Sequence, residues 1–294
     1  MRACSLSLQT TADRAAPLLH WAPRMRLILA VIIWAVALGS VLPFVIGRWQ
    51  PPPPITEFAR QIDAQLSLTF WLTAFIFLAA HLILGYAVLR FGRRRSEPAG
   101  GSRGNDRWET LWTTGALVLF VGLTLLSYSA WAEARFDVAR SAAPSDDRLV
   151  IEVVGQQFVW NIRYPGADGV FGPTDVNLVD DALGNPLGVD RDHPNGADDI
   201  VVPQMAVPLN REVEVILKSK DVLHSFFVPE LRLKLDTVPG LELKLRFTAD
   251  VAGTYEIACA ELCGLGHYRM RSFLEVLEPE AYEAWLVEQA SYLE

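Results

Sequence analysis

Three apolar runs in the first half of the chain, Leu27 to Gly47, Leu66 to Phe91 and Leu111 to Trp131, restrict the fold more than any other feature. Each has about the twenty residues that a helix needs to cross a hydrocarbon core of about 30 Å. None carries a charge before its ends; the second contains one histidine, His81, and closes on Arg90. A buried helix of a soluble protein is occasionally this apolar, but three in succession point to a membrane. Arg90, Arg93, Arg94, Arg95, Arg103 and Arg107 stand between the second and third runs against only Glu97 and Asp106, so this loop is expected in the cytoplasm. The tail with Arg2, Arg14, Arg24 and Arg26 belongs on the same side, and the polar C-terminal half on the other. The first run has two readings, a retained anchor or a signal peptide with Ala35-Val36-Ala37 as a small-residue cleavage site. The expected order is a signal or anchor over 1–47, a spacer over 48–65 stiffened by Pro51 to Pro54, and a membrane hairpin over 66–132. Cys4 is incidental.

From Leu149 the pattern changes to short β-type runs separated by turns: Leu149 to Val154, Phe158 to Tyr164, Val213 to Lys218, Ser225 to Val228, Leu243 to Thr248, Thr254 to Ala258 and Phe273 to Val276. This spacing predicts an all-β sandwich or Greek-key barrel over 148–278. Pro279 suits the first turn of a closing helix, expected to run through Leu293 in a segment 279–294.

Within twelve residues near the end, Cys259, Cys263, His267 and Met270 offer two thiolates, an imidazole and a thioether. Soft sulfur ligands favour copper, and a distant Met is the usual weak axial partner in electron-transfer copper sites. A structural zinc site seldom uses Met, and a mononuclear blue copper site needs one Cys, so two bridging sulfurs imply two coppers. A disulfide is the other reading of the pair, since an exported domain meets an oxidising compartment. Of the chain's five histidines, His20 lies in the tail, His81 in an apolar run and His193 in a Pro/Gly/Asp loop. His224, in a strand-like stretch, is left as the further ligand.

Asp221-Val222-Leu223-His224-Ser225 followed by Cys259-x-Glu261-x-Cys263-x-x-x-His267-x-x-Met270 resembles the binuclear copper A domain of cytochrome c oxidase subunit II, and the likeness runs from about Ile62 to Glu278. It implies a cupredoxin-like barrel with His224 on one loop and the other ligands between the last two strands. It makes Cys259 and Cys263 bridging thiolates, with His224 and His267 on one copper each. Met270 and the backbone carbonyl of Glu261 become weak ligands, and the Glu261 carboxylate reaches a magnesium shared with subunit I. The implied role is to accept electrons from a cytochrome c type donor and pass them to the haem of subunit I, where oxygen becomes water. The chain would reduce no oxygen alone. Its implied partners are subunits I and III, the donor and the membrane, with no nucleic acid. Its implied place is the bacterial inner membrane, multi-pass, with the C-terminal domain in the periplasm.

The resemblance also places functional residues outside the ligand set. Gly155 to Pro165 looks like the family's aromatic segment, and electrons would enter near Phe158 and Trp160; Phe158 stands where the family has Trp. Phe keeps the ring but loses the indole N–H, which implies a donor docked differently. Glu109-Thr-Leu-Trp112-Thr113 looks like the start of the family's last membrane helix, where the glutamate takes up protons, although the usual proline is Ala116. A solvated charge at a helix N-terminus is the plainer reading of Glu109. Asp236 matches a turn near subunit I, with Leu241 where the family has Arg.

Between Tyr164 and Ile200 lie eight aspartates against Arg191 alone, seven of the chain's eight net negative charges. Such a segment would steer a basic protein toward the site, serve as a solvated loop, or bind calcium. Three rivals to the electron-accepting role differ in ligands. A quinol oxidase subunit lacks copper, nitrous oxide reductase needs many more histidines, and a periplasmic copper-delivery or storage protein needs exchangeable binding. No Cys-x-x-Cys-His is present, so no covalent haem domain is fused to the chain.

Overall fold

The computed structural model describes residues 23–91, 104–140 and 148–291. Cys4, His20 and the arginines from Arg93 to Arg103 lie outside them. Three long apolar helices come first, α1 (Pro23–Val45), α2 (Glu57–Phe91) and α3 (Asp106–Arg140), each long and apolar enough to cross a membrane. By packing, the chain divides into one unit of Met1–Gln50 with Phe70–Asp106 and another of Pro51–Thr69 with Arg107–Glu294.

In the first unit, α1 lies on α2. The Trp34 indole rests on Gly85, where a Cβ would come within 2.3 Å of the ring, and Phe44 meets Phe70 with ring centroids 4.4 Å apart. Ala30 and Ala37 are buried, so the proposed cleavage stretch sits inside an intact helix.

In the second unit, α2 starts nine residues earlier than the apolar pattern suggests, and the expected spacer shrinks accordingly. Thr56 caps the helix through its hydroxyl, which accepts from Ala59 N at 2.9 Å, and Glu57 stands in the first turn. This polar start is anchored to the β domain. Ile55 is buried in the β core, Asp250 accepts from Arg60, and Asp63 takes both Nε and a terminal nitrogen of Arg232 at 2.8 Å.

The β domain is a two-sheet barrel of the expected cupredoxin-like kind. One sheet has the order β3 (Ile200–Val202), β2 (Val159–Tyr164), β1 (Leu149–Gln156), β5 (Glu212–Ser219), β8 (Leu243–Thr248). The other has β4 (Met205–Pro208), β10 (Arg271–Leu277), β9 (Gly253–Cys259), β6 (His224–Val228), β7 (Leu233–Thr237). β1 with β5 and β4 with β10 run parallel, and the other neighbours antiparallel. Between the sheets lie Trp160, Ile162, Tyr164, Val215, Phe226, Ile257 and Leu274, none more than 1% exposed. α4 (Pro279–Ser291) adds Tyr282 and Trp285 beside Tyr164. Three strands are additional to those expected, β3, β4 and β7, and Phe158 stands in the β1–β2 turn instead of in a strand.

The acidic segment is ordered by its own polar groups. Asp175, Asp180 and Asp190 each accept a backbone N–H two residues on, the short-range pattern of Asx turns, and Thr174 bridges to Val189. Among the described residues its carboxylates form no cluster close enough to hold an ion, so the calcium reading finds no support. Its return is fixed by charge: Arg163, 3% exposed, reaches Asp199, wholly buried, and Glu152 at 3.3 Å.

Removing one partner of a buried pair leaves an uncompensated charge, which costs about 3–5 kcal/mol. Arg163→Ala is therefore expected to destabilise the barrel by about that amount in denaturant unfolding. An unchanged unfolding midpoint would show that Asp199 is held by other groups.

Candidate metal centre

His224 opens β6, between β7 and β9, and its side chain is wholly buried. Its ring lies close to the backbone of Gly155, where a Cβ would stand 2.8 Å from Cδ2. This close approach needs glycine at 155. On another side, Trp160 meets the imidazole with ring centroids 6.0 Å apart. His224 Nε2 lies 2.8 Å from Asp221 Oδ1. An ionised carboxylate only accepts, so Nε2 carries the proton and the Nδ1 lone pair faces Cys259 Sγ at 4.0 Å. Burial alone would raise the Asp221 carboxyl, but hydrogen bonds from the Gln157 N–H, the His224 ring and the Val222 N–H hold it below the ordinary value.

Cys259 ends β9, and its N–H donates to the Met270 carbonyl at 3.2 Å, closing the ligand loop at its base. Between these two residues the loop carries Cys263 and one 3-10 turn, His267–Arg269. The sulfurs of Cys259 and Cys263 are 3.9 Å apart, far beyond a disulfide bond of about 2.05 Å, and both thiols are free. Cys263 Sγ lies 3.7 Å from His267 Nδ1 and 3.7 Å from Met270 Sδ, and Cys259 Sγ is 3.2 Å from the Glu261 carbonyl. Burial, followed by the neighbouring Cys259, pushes the Cys263 thiol up to about 11.

The donor set fits a metal. The ligand atoms of His224, Cys259 and Cys263 lie within 4.8 Å of one another. Two donors bonded to one ion at about 2.0–2.3 Å and near-tetrahedral angles stand about 3.6 Å apart, close to the separations here. Two thiolates, imidazole nitrogens and a thioether are soft and borderline donors, a set that suits copper.

The structure brings together His224, Cys259, Cys263, His267, Met270 and the carbonyl of Glu261. The Glu261 side chain is half-buried, and Glu109 stands exposed in the first turn of α3, outside this cluster. Asp236 accepts from the Ser225 hydroxyl at 2.6 Å, one residue from His224. Phe158 is 38% exposed and its ring lies against Gly264 and Gly266, whereas Trp160 is fully buried, so only the former reaches the surface. Leu262, Leu265 and Tyr268 are 78, 98 and 81% exposed, an apolar crest open to another protein. Gly155, Gln157, Gly264 and Gly266 also shape the site, although none is a ligand type. The two glycines beside Cys263 were the available signal, because a backbone without Cβ marks close approach.

The family model for the periplasmic domain of cytochrome c oxidase subunit II matches residues 149–277. The chain is 34% identical over 265 residues to the alternative cytochrome c oxidase subunit 2 of Bradyrhizobium diazoefficiens, covering 90% of this chain and 92% of the relative. It is 30% identical to cytochrome c oxidase subunit 2 of Cereibacter sphaeroides, covering 84% of this chain and 83% of the relative. The crystal structure of the periplasmic domain of subunit II of cytochrome oxidase from Bradyrhizobium japonicum aligns at 26% identity with a TM-score of 0.38. It covers 51% of this chain and 99% of that one.

A thiol pushed up to about 11 stays protonated at neutral pH, and only the thiolate is alkylated. In the folded metal-free chain, alkylation of Cys263 is expected to keep accelerating from pH 9 toward 11, measured by mass spectrometry of quenched samples. A plateau already reached near pH 9 would contradict the burial argument.

Proposed function

The chain belongs to the cytochrome c oxidase subunit II family, and we propose that its two-thiolate centre is where electrons from a cytochrome c type donor enter the oxidase. It is the electron-accepting, copper-binding subunit of an oxidoreductase complex, associated with other oxidase subunits and anchored by apolar helices. The observation that carries the reading is the continuous row of donors His224 Nδ1, Cys259 Sγ, Cys263 Sγ and His267 Nδ1, spaced by 3.7 to 4.0 Å.

That row has one imidazole at each end and two sulfurs between, and His224, Cys259, Cys263 and His267 would together hold two copper ions. Met270 flanks the Cys263 end and the Glu261 carbonyl the Cys259 end, where they would serve as weak ligands. Copper, when bound, supplies one-electron chemistry. The protein's part is to keep the donors still. His224 and Cys259 sit on neighbouring strands, and the loop base is closed by the Cys259 N–H, so little geometry is free to change between redox states.

The finer assignments follow the same pattern. The half-exposed ring of Phe158 is the point nearest a docked donor, and the Glu261 carboxylate is a ligand for magnesium at the subunit I contact. Glu109 receives protons at the cytoplasmic end of α3. The chain spans the inner membrane more than once, with the barrel in the periplasm beside subunits I and III. Retention of α1 is favoured by the seat of Trp34 on Gly85. The acidic segment steers a basic donor: Asp181 contacts both Gln156 and Lys220, so the segment reaches the residues flanking Gln157 and Asp221.

Metal analysis of the purified oxidase is expected to give two coppers for this chain. Its electron paramagnetic resonance spectrum is expected to show a seven-line hyperfine pattern, the mark of one unpaired electron shared by two copper nuclei. A four-line pattern would mean a mononuclear site and turn the reading toward copper delivery.

A further inference from the structure

Gln157 and Phe158 are the two residues of the tight turn between β1 and β2, where Gln156 pairs with Val159. Both reach the ligand loop, although more than a hundred residues of chain separate them from it. The Gln157 side-chain Nε2 donates to the backbone carbonyl of Cys263. Its backbone N–H donates to Asp221 Oδ2 at 2.8 Å, and the other oxygen of that carboxylate accepts from His224 Nε2. One residue therefore bonds to both ligand-bearing segments, the one before β6 and the one after β9.

Phe158 follows directly, and its ring occupies the space left by two glycines. A Cβ on Gly266 would stand 2.4 Å from the ring, and one on Gly264 would stand 2.7 Å from Gln157 Nε2. Gly264 has φ of +138°, a conformation that side chains rarely adopt. The Gly264-Leu265-Gly266 stretch has no side-chain packing of its own, since Leu265 is exposed, and backbone bonds from the His267 N–H to the Gly264 carbonyl and from the Arg269 N–H to the Gly266 carbonyl tie it to the turn that follows. The amide of Gln157 adds the bond on the other side, to the Cys263 carbonyl in the peptide that leads into Gly264.

We propose that Gln157 is a positioning residue for electron transfer. It locks the Phe158 ring against Gly264 and Gly266, and so fixes how closely a donor protein approaches the ligands. The effect on donor rate rests on the electron-accepting reading above, whereas the lock itself does not. Gln157 offers no metal-ligating atom to the site and acts through Phe158 and the Cys263 carbonyl.

The test compares the assembled oxidase with Gln157→Met, which keeps length but has no donor, and Gln157→Glu, which keeps size but turns the donor into an acceptor. Phe158→Ala and the Gln157→Met/Phe158→Ala double variant complete the set. Three quantities are read: copper content with its spectrum, amide hydrogen exchange over 264–267, and reduction by a basic haem protein against reduction by a small inorganic reductant. Gln157→Met is expected to keep its copper, to exchange these amides about fivefold faster, and to be reduced by the haem protein about fivefold more slowly, the population shift of one hydrogen bond. Reduction by the small reductant stays unchanged. The double variant is no slower than Phe158→Ala, since both changes act on one contact. Gln157→Glu behaves like Gln157→Met or worse.

Wild-type exchange and donor rate in Gln157→Met would overturn the proposal. Equal slowing with both reductants, or loss of copper from Gln157→Met, would also overturn it by making Gln157 part of site assembly. If wild-type oxidase takes no electrons from any haem protein, the electron-accepting reading fails instead. The exchange measurement still decides whether Gln157 locks the loop.

Discussion

The hydrogen bond between His224 Nε2 and Asp221 decides what the open end of the barrel can bind. It puts the imidazole proton on Nε2 and turns the Nδ1 lone pair toward Cys259. Most of the nearby architecture serves to hold that bond in place. Asp221 is fixed by two backbone N–H groups, His224 by its place in the β6 ladder, and the ring by the bare backbone of Gly155. With the imidazole fixed, the second ligand segment needs only to arrive at the right height. The pairing of Phe226 with Cys259 and the bond from the Cys259 N–H to the Met270 carbonyl achieve this.

Charge pairs perform a comparable task at the other connections of the β domain. The polar start of α2 is held by Arg60 with Asp250 and Asp63 with Arg232, and Ile55 enters the core beside them. The acidic segment rejoins the sheet through Arg163, buried between Asp199 and Glu152. Eight aspartates in one segment repel one another, and several of its apolar side chains, Val170, Val176, Leu178 and Leu183 among them, stay exposed. The buried Arg163 and the turn hydrogen bonds are what give it a single course.

The apolar helices and the gathering of His224, Cys259 and Cys263 were legible in the sequence because both depend on local pattern: an uninterrupted apolar run in one case, residue type at fixed spacing in the other. The start of α2 was not, since Glu57 to Gln65 is too polar for lipid and forms a helix because it rests on the barrel. β3 and β4 escaped notice because they are three and four residues long, and Pro208 ends the latter. Phe158 looked like a strand residue from its aromatic ring, and Gly-Gln-Gln gives no ordinary turn signal. The roles of Gln157 and Gly155 were out of reach because they depend on partners far along the chain. Such roles follow from topology, which a local pattern does not contain.

Burial of the ligand loop has opposite consequences for the empty and the occupied site. Without a cation, moving Cys263 out of water penalises its thiolate, and a second sulfur 3.9 Å away penalises it further, so the thiol holds its proton to about 11. With a cation among the same donors, the low dielectric that opposed ionisation strengthens the attraction between thiolate and metal. The site thus disfavours a bare thiolate and favours a metal-bound one, while the fixed imidazole and the closed loop base keep the donors where they are. A centre built this way moves little, which suits electron transfer better than the exchange that a metal carrier requires.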